Sequence, residues 1–324
     1  MNLKIIDQLQ IQVLVDNVTD SLSSVPKNVT HEMAYLRNNG MKELSGECLC
    51  CGAHGLSLLL TASEGDNTHS LLFDAGPEGE VFKRNVNNLN AKIGAVEAIV
   101  LSHGHWDHAG GFFAALDLIK SKKKCKEIVF HLNPGMFYQR ATTHNDEICP
   151  FKKIPSIADL KKHGASVVNS DAPRLLLSDM FYLSGEIPRV TEYEKGFPGH
   201  VRQLPSGEWE ADPWIKDERF LAVNIRDKGL VIFSACSHAG IINVLKHAQS
   251  LFPAIPLYAV MGGFHLSGQL VEKIIPQTIN DLAQFNLKMI IPAHCTGWRA
   301  VNALATKFGD QVIVPSAVGR IYDF

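Results

Sequence analysis

Apolar residues fall along this chain in two rhythms. Where Val, Ile, Leu and Phe alternate with polar positions between turn formers, the pattern is that of a strand buried on one face. Such runs predict strands over 11–15, 55–60, 70–74, 98–102, 128–132, 180–183, 220–225, 230–234, 257–261 and 289–292. Hairpin turns are expected at Glu64-Gly65-Asp66-Asn67 and at Asp227-Lys228-Gly229. Helical spacing follows Gly111, follows Gly240, and fills 269–285 and 299–308. Hairpins thus dominate the first half, and strand–helix alternation the second. Residues 134–218 are the least regular, rich in Pro, Gly and charge. They read as a lid or insertion across a site, within a single domain spanning 1–324.

Composition narrows the function classes. With 46% hydrophobic and 20% charged residues, the 324-residue chain can fill a large core and is no disordered polymer. A formal net charge of -2 offers no footprint for nucleic acid or an anionic membrane. Lys122-Lys123-Lys124 suits the last turn of a helix. The first 17 residues alternate, which predicts a first strand and not an export signal. No apolar stretch approaches the roughly 20 residues that span a bilayer. Seven cysteines, an odd number, suggest free thiols in a cytoplasmic protein. Cys48, Cys50, Cys51 and His54 lack the paired spacing of a zinc knuckle. No phosphate loop, dinucleotide fingerprint or serine-nucleophile elbow is present. A small-molecule substrate is the partner expected; the oligomeric state is not legible.

The densest chemistry lies in His103-Gly104-His105-Trp106-Asp107-His108, at the end of the predicted strand 98–102. Imidazole nitrogen and carboxylate oxygen suit zinc and other borderline divalent metals, so this turn reads as a metal site. His238 and His294 each follow an apolar strand, where strand ends gather in an α/β fold, and are further candidate ligands. His265 follows Gly262-Gly263, where the backbone can approach a ligand closely; metal, substrate or acid roles all stay open. His54 reads either as the edge of the site or as a buried polar residue.

His-x-His-x-Asp-His after a strand resembles the signature of the metallo-β-lactamase superfamily. The resemblance implies an α/β (α+β) fold, a four-layer αβ/βα sandwich of two mixed sheets with helices outside. It implies His103 and His105 on one metal, Asp107 and His108 on a second, and His294 as the last metal histidine. Asp74 resembles the strand-end carboxylate that orients those ligands. His54–Ser57, Ser184–Pro188 with Glu186, Cys236–Gly240, Gly262–Leu266 and His294–Gly297 resemble a narrower branch. Its members are metal-dependent hydrolases labelled as 7,8-dihydropterin-6-methyl-4-(β-D-ribofuranosyl)-aminobenzene-5'-phosphate synthase-like. On that likeness His54 and Glu186 stand behind the ligands or beside the substrate.

The implied cofactor is one or two divalent ions, zinc first, with iron or manganese as alternatives. In one respect the chain departs from the family. The strand-end Asp that bridges two metals has no counterpart in Ala235-Cys236-Ser237-His238, so the bridge is either absent or replaced by His238 or a water. Phe197-Pro198-Gly199-His200 is similar to the family's third metal motif, but no apolar strand precedes it. His238, better supported, is expected to join His103 and His105. The function implied is hydrolysis of a small-molecule ester or phosphoester, phosphorylated or pterin-related, by a metal-activated hydroxide. Asp107 would orient the nucleophile or relay its proton, and His265 would be the second catalytic group. Alternatives are a diiron oxidoreductase and a metal- and ligand-binding protein with little turnover.

Overall fold

The structure, a computed structural model, describes residues 2–145 and 147–324. Two large mixed sheets form its centre. The eight-stranded sheet runs in the order Ala165–Asn169, Ile128–Leu132, Val96–Val100, Asn67–Phe73, Ser57–Glu64, Gln8–Val15, Ile321–Asp323 and Val29–Thr30. The seven-stranded sheet runs Arg174–Leu176, Phe181–Leu183, Leu221–Ile225, Gly229–Cys236, Leu257–Gly263 and Met289–Pro292, with Ile5–Ile6 paired to Leu221–Ile225.

The sheets pack face to face. Ile11, Leu58, Leu60, Leu71 and Phe73 of one meet Leu221, Val223, Phe233, Met261 and Ile291 of the other in one buried cluster. Among the described residues no strand pairing joins the two sheets. Side-chain burial therefore holds them, at about 1.5–3 kcal/mol for each fully buried Leu, Ile, Val or Phe. A second cluster sits between the eight-stranded sheet and the helices Gly79–Asn88 and Phe112–Lys123. A third lies under Ile241–Leu251, Ile275–Leu282 and Trp298–Phe308 on the opposite face. Helix, sheet, sheet and helix make the four-layer αβ/βα sandwich.

Chain direction then places the chemistry. Asn67–Phe73, Val96–Val100 and Ile128–Leu132 are mutually parallel, as are Gly229–Cys236, Leu257–Gly263 and Met289–Pro292. Parallel neighbours need a crossover, which the outer helices supply. Each of the two parallel sets thus delivers its loops at its carboxyl edge, the usual ligand edge of an α/β sheet. Asp74, His103–His108, His238, His265 and His294 all lie on such loops.

Segment 134–218 is more regular than its composition suggests. Ala165–Asn169 pairs in parallel with Ile128–Leu132, while Arg174–Leu176 and Phe181–Leu183 join the seven-stranded sheet. What stands apart is a four-stranded sheet of Trp209–Ala211, His200–Gln203, Arg140–His144 and Glu147–Pro150. These strands are short and polar, so no period-two apolar signal marks them. The helix Gly79–Asn88 is likewise hidden, because Gly and Asn are poor helix formers. Burial of Phe82, Asn85 and Val86 along one face holds it. Among the described residues no helix is long and apolar enough to cross a membrane.

Candidate metal centre

The strand Val96–Val100 ends in a tight turn that enters the short helix Trp106–Ala109. Gly104 is required there: a Cβ would collide with the Met136 carbonyl and the Arg140 guanidinium. Its N–H donates to Asp217 Oδ2 at 2.8 Å, and buried Arg140 pairs with both Asp217 and Asp212. Arg140 opens a strand of the four-stranded sheet, so that sheet is pinned to the histidine turn by charge-assisted bonds. Across the site, Asp74, His265 and His294 hold positive φ values of 59°, 49° and 44°. Asp and His enter this left-handed region more readily than most residues, and strain of this kind collects where function demands it.

Asp74 determines where two histidines carry their protons. Its carboxylate is fully buried and accepts the Ser102 N–H, the Ser102 hydroxyl and His108 Nδ1–H, each at 2.7 Å. Because the Ser102 hydroxyl spends its proton on Asp74, its oxygen must accept at 2.9 Å from His103 Nδ1. Both rings therefore turn Nε2 inward, as ligand-orienting partners do. His103 Nε2 lies 3.2 Å from His238 Nε2. The ligand atoms of His103, His105 and His238 all lie within 4.8 Å of one another. Burial, then neighbouring positive charge, pushes the His103, His105 and His238 imidazoles well below their ordinary range, which keeps them neutral and able to coordinate.

A second focus gathers on Asp107. Its Oδ2 is 3.3 Å from His294 Nε2, 3.5 Å from His54 Nε2 and 3.7 Å from His108 Nε2. Burial alone would raise the Asp107 carboxyl, but His108 and His294 outweigh it and hold it well below the carboxylate range. Burial lowers His108 in turn, yet Asp107 and Asp74 prevail and lift it to about 8. A cation is thus favoured between Asp107 and His108, and a proton serves when no metal does. The buried Nε2 atoms of His105, His108 and His294 have no hydrogen-bond partner. Buried nitrogens left bare are costly unless something absent from the polypeptide satisfies them, so the donor set fits a metal.

Around these foci stand residues with less obvious sequence signals. Cys236 occupies the strand end where the bridging carboxylate is missing. Its Sγ lies within 4.8 Å of ligand atoms from His103 and His108, from His238 and His265, and from His294 and Cys295. It is 2.8 Å from Cys295 Sγ, unbonded, and 3.3 Å from His265 Nδ1. His265 Nε2 is buried without a partner. Beneath His238, burial pushes the Glu218 carboxyl up to about 8 while it accepts the Ala239 N–H at 2.6 Å. Glu186 is not brought into the cluster: it is exposed, 4.0 Å from Lys216. Its motif lies on a loop whose buried side chains are its neighbours Ser184 and Ile187 instead.

His200 needs a correction. It begins a strand rather than a loose loop, it is buried, and its ring centroid is 5.2 Å from those of both His105 and His238. Even so, among the described residues no convergent ligand group contains it. His238→Ala is expected to lower metal affinity about 10-fold or more, on the scale of a disrupted ligand shell. His200→Ala is expected to leave it nearly unchanged. Metal-to-protein ratios after dialysis against graded chelator measure both, and the reverse order would move the ligand role to His200.

Residues 54–170 match the family model of the metallo-β-lactamase superfamily. Over 261 residues the chain is 32% identical to 7,8-dihydropterin-6-methyl-4-(beta-D-ribofuranosyl)-aminobenzene-5'-phosphate synthase of Methanocaldococcus jannaschii, covering 80% of this chain and 86% of that protein. An uncharacterized protein of the same organism is 30% identical over 257 residues, 78% of this chain and 87% of the other. Among solved structures, a metal-dependent hydrolase of the beta-lactamase superfamily superposes with a TM-score of 0.68 at 22% identity, over 98% of each chain. At that identity the superposition speaks for the fold.

Proposed function

The chain belongs to the metallo-β-lactamase superfamily, and from that premise we propose that it is a metal-dependent hydrolase of a small-molecule ester or phosphoester. The observation that carries the reading is the convergence of buried, unpartnered imidazole nitrogens on the ionised Asp107. In this reading His103, His105 and His238 hold one ion, and Asp107, His108 and His294 hold a second. A divalent metal there, zinc in the first instance, would supply a Lewis acid and activate a water for attack. Asp107 would orient the attacking water and relay its proton through the carboxylate. His265, with Nε2 free, donates to the departing oxygen. The four-stranded sheet acts as a lid on the His105 side, where Phe151 and His200 pack edge-on against the ring. The seven free cysteines accord with a reducing compartment, the cytoplasm.

The relative's name supplies a second reading. It is a synthase of a pterin-related phosphorylated compound, which favours group transfer to an acceptor other than water. The test is elemental analysis of protein purified without a metal-affinity tag, followed by assay on ester and phosphoester panels with zinc, manganese or iron restored. At least one metal per chain is expected, with turnover of one panel class that a chelator abolishes. Metal without hydrolysis of any panel member, but with product from a pterin and a phosphorylated co-substrate, would replace the first reading with the second. A visible iron spectrum with redox turnover would overturn both.

A further inference from the structure

Asn17 lies just past the strand Gln8–Val15, exposed and outside every sequence motif. We infer that its amide sets the proton positions of His294 and His54 in opposite senses, making His294 a metal ligand and His54 a hydrogen-bond donor that cannot be one. The inference rests on the reading of Asp107 and His294 as metal ligands.

The amide has one orientation, because two of its partners are backbone groups of fixed polarity. Asn17 Oδ1 accepts the Gly55 N–H at 3.1 Å, and Nδ2 donates to the His294 carbonyl at 3.2 Å. The same Oδ1 is 3.0 Å from His294 Nδ1. A carbonyl oxygen only accepts, so His294 carries a proton on Nδ1, and the lone pair of its neutral ring is on Nε2. The same Nδ2 is 3.2 Å from His54 Nδ1. An amide nitrogen only donates, so His54 Nδ1 accepts, and the proton of its neutral ring is on Nε2.

Both Nε2 atoms face Asp107 Oδ2, at 3.3 Å for His294 and 3.5 Å for His54. For neutral His294 a lone pair confronts a carboxylate lone pair, an adverse contact unless a cation lies between them, either a metal or the proton that makes the ring an imidazolium. For His54 an N–H points toward the carboxylate, and no cation is needed. Three side chains that distance alone would group as one metal triad therefore divide into two ligands and one donor. The His54 side chain is 59% exposed, so its N–H stands at the mouth of the centre.

The test is nitrogen-15 NMR of metal-free protein labelled in the histidine rings, at a pH where these rings are neutral, with resonances assigned from His54→Gln and His294→Gln. His294 is expected as the Nδ1–H tautomer and His54 as the Nε2–H tautomer; the same tautomer in both rings would overturn the inference. Asn17→Asp keeps the acceptor and removes the donor. It is expected to bind zinc no more weakly than the wild type while His54 shifts its proton to Nδ1. Asn17→Leu removes both and is expected to lose about 10-fold in zinc affinity by chelator competition. Equal losses in the two variants would reduce Asn17 to a loop-packing residue. If neither variant folds, the wild-type spectrum decides. Zinc that leaves the His294 Nε2 resonance unmoved would refute the metal reading while the tautomer result stands or falls separately.

Discussion

Exchanging Asp107 for asparagine is expected to cost hydrolysis between about 100-fold and 10,000-fold, the range of a lost general acid–base group. The physical reason lies in what surrounds the carboxylate. Three imidazoles bring Nε2 within 3.7 Å of Oδ2, and His108 and His294 keep the group ionised despite its burial. The amide has nearly the same shape but neither the charge nor the ability to take a proton. Its oxygen can still lie toward a cation, so the variant is expected to retain much of its metal. His103→Ala is the contrasting control, expected to lose metal and activity together. Steady-state rates beside metal content on the same preparations measure the difference. Wild-type turnover by Asp107→Asn would remove the carboxylate from the mechanism.

Asp74→Ala is expected to lower the unfolding free energy of metal-free protein by about 3–5 kcal/mol, the cost of breaking a buried charged pair from one side. The loss strands His108 Nδ1–H and both Ser102 donors at a site fully buried from solvent. Alanine at φ 59° adds backbone strain that aspartate bears more easily. Asp74→Asn keeps an acceptor and tolerates the same φ, so its stability loss is expected to be smaller. Its zinc affinity is still expected to fall about 10–100-fold, because an amide cannot serve all three donors. Urea unfolding monitored by circular dichroism, with chelator competition in parallel, separates the two effects. An unchanged midpoint for Asp74→Ala would mean that water reaches the pair.

The parts of this protein legible in its sequence are those where local pattern and final environment agree. Ile128–Leu132 and Met289–Pro292 appear at their predicted limits because each is an apolar run buried in a parallel sheet. The turn from His103 to His108 is legible because its ligand-type side chains are crowded within one turn. His200 is different: its strand, HVRQ, lies on a small sheet fixed by Arg140, Asp212 and Asp217, and none of that is a local signal. Cys236 and Cys295 are visible as residues beside histidines, but their contact arises only when two parallel strand ends come together. Asn17 is the extreme case, meeting His294 across 277 positions. Of the four residues Cys48, Cys50, Cys51 and His54, only His54 turns toward the centre, held by Asn17 instead of by its cysteine neighbours.

The division of the centre between two sheets also sets a clock for synthesis on the ribosome. His103 leaves the exit tunnel 135 positions ahead of His238, its partner across the seam. At about 5–20 residues per second, that interval is about 7–27 s. Throughout it, on the proposed assignment, the nascent chain offers the close-set imidazoles and carboxylate of one turn, a geometry open to any imidazole-seeking cation. On the proposed ligand assignment, the choice among metals belongs to the finished sandwich, whose two faces must close before the second sheet's histidines can compete for an ion.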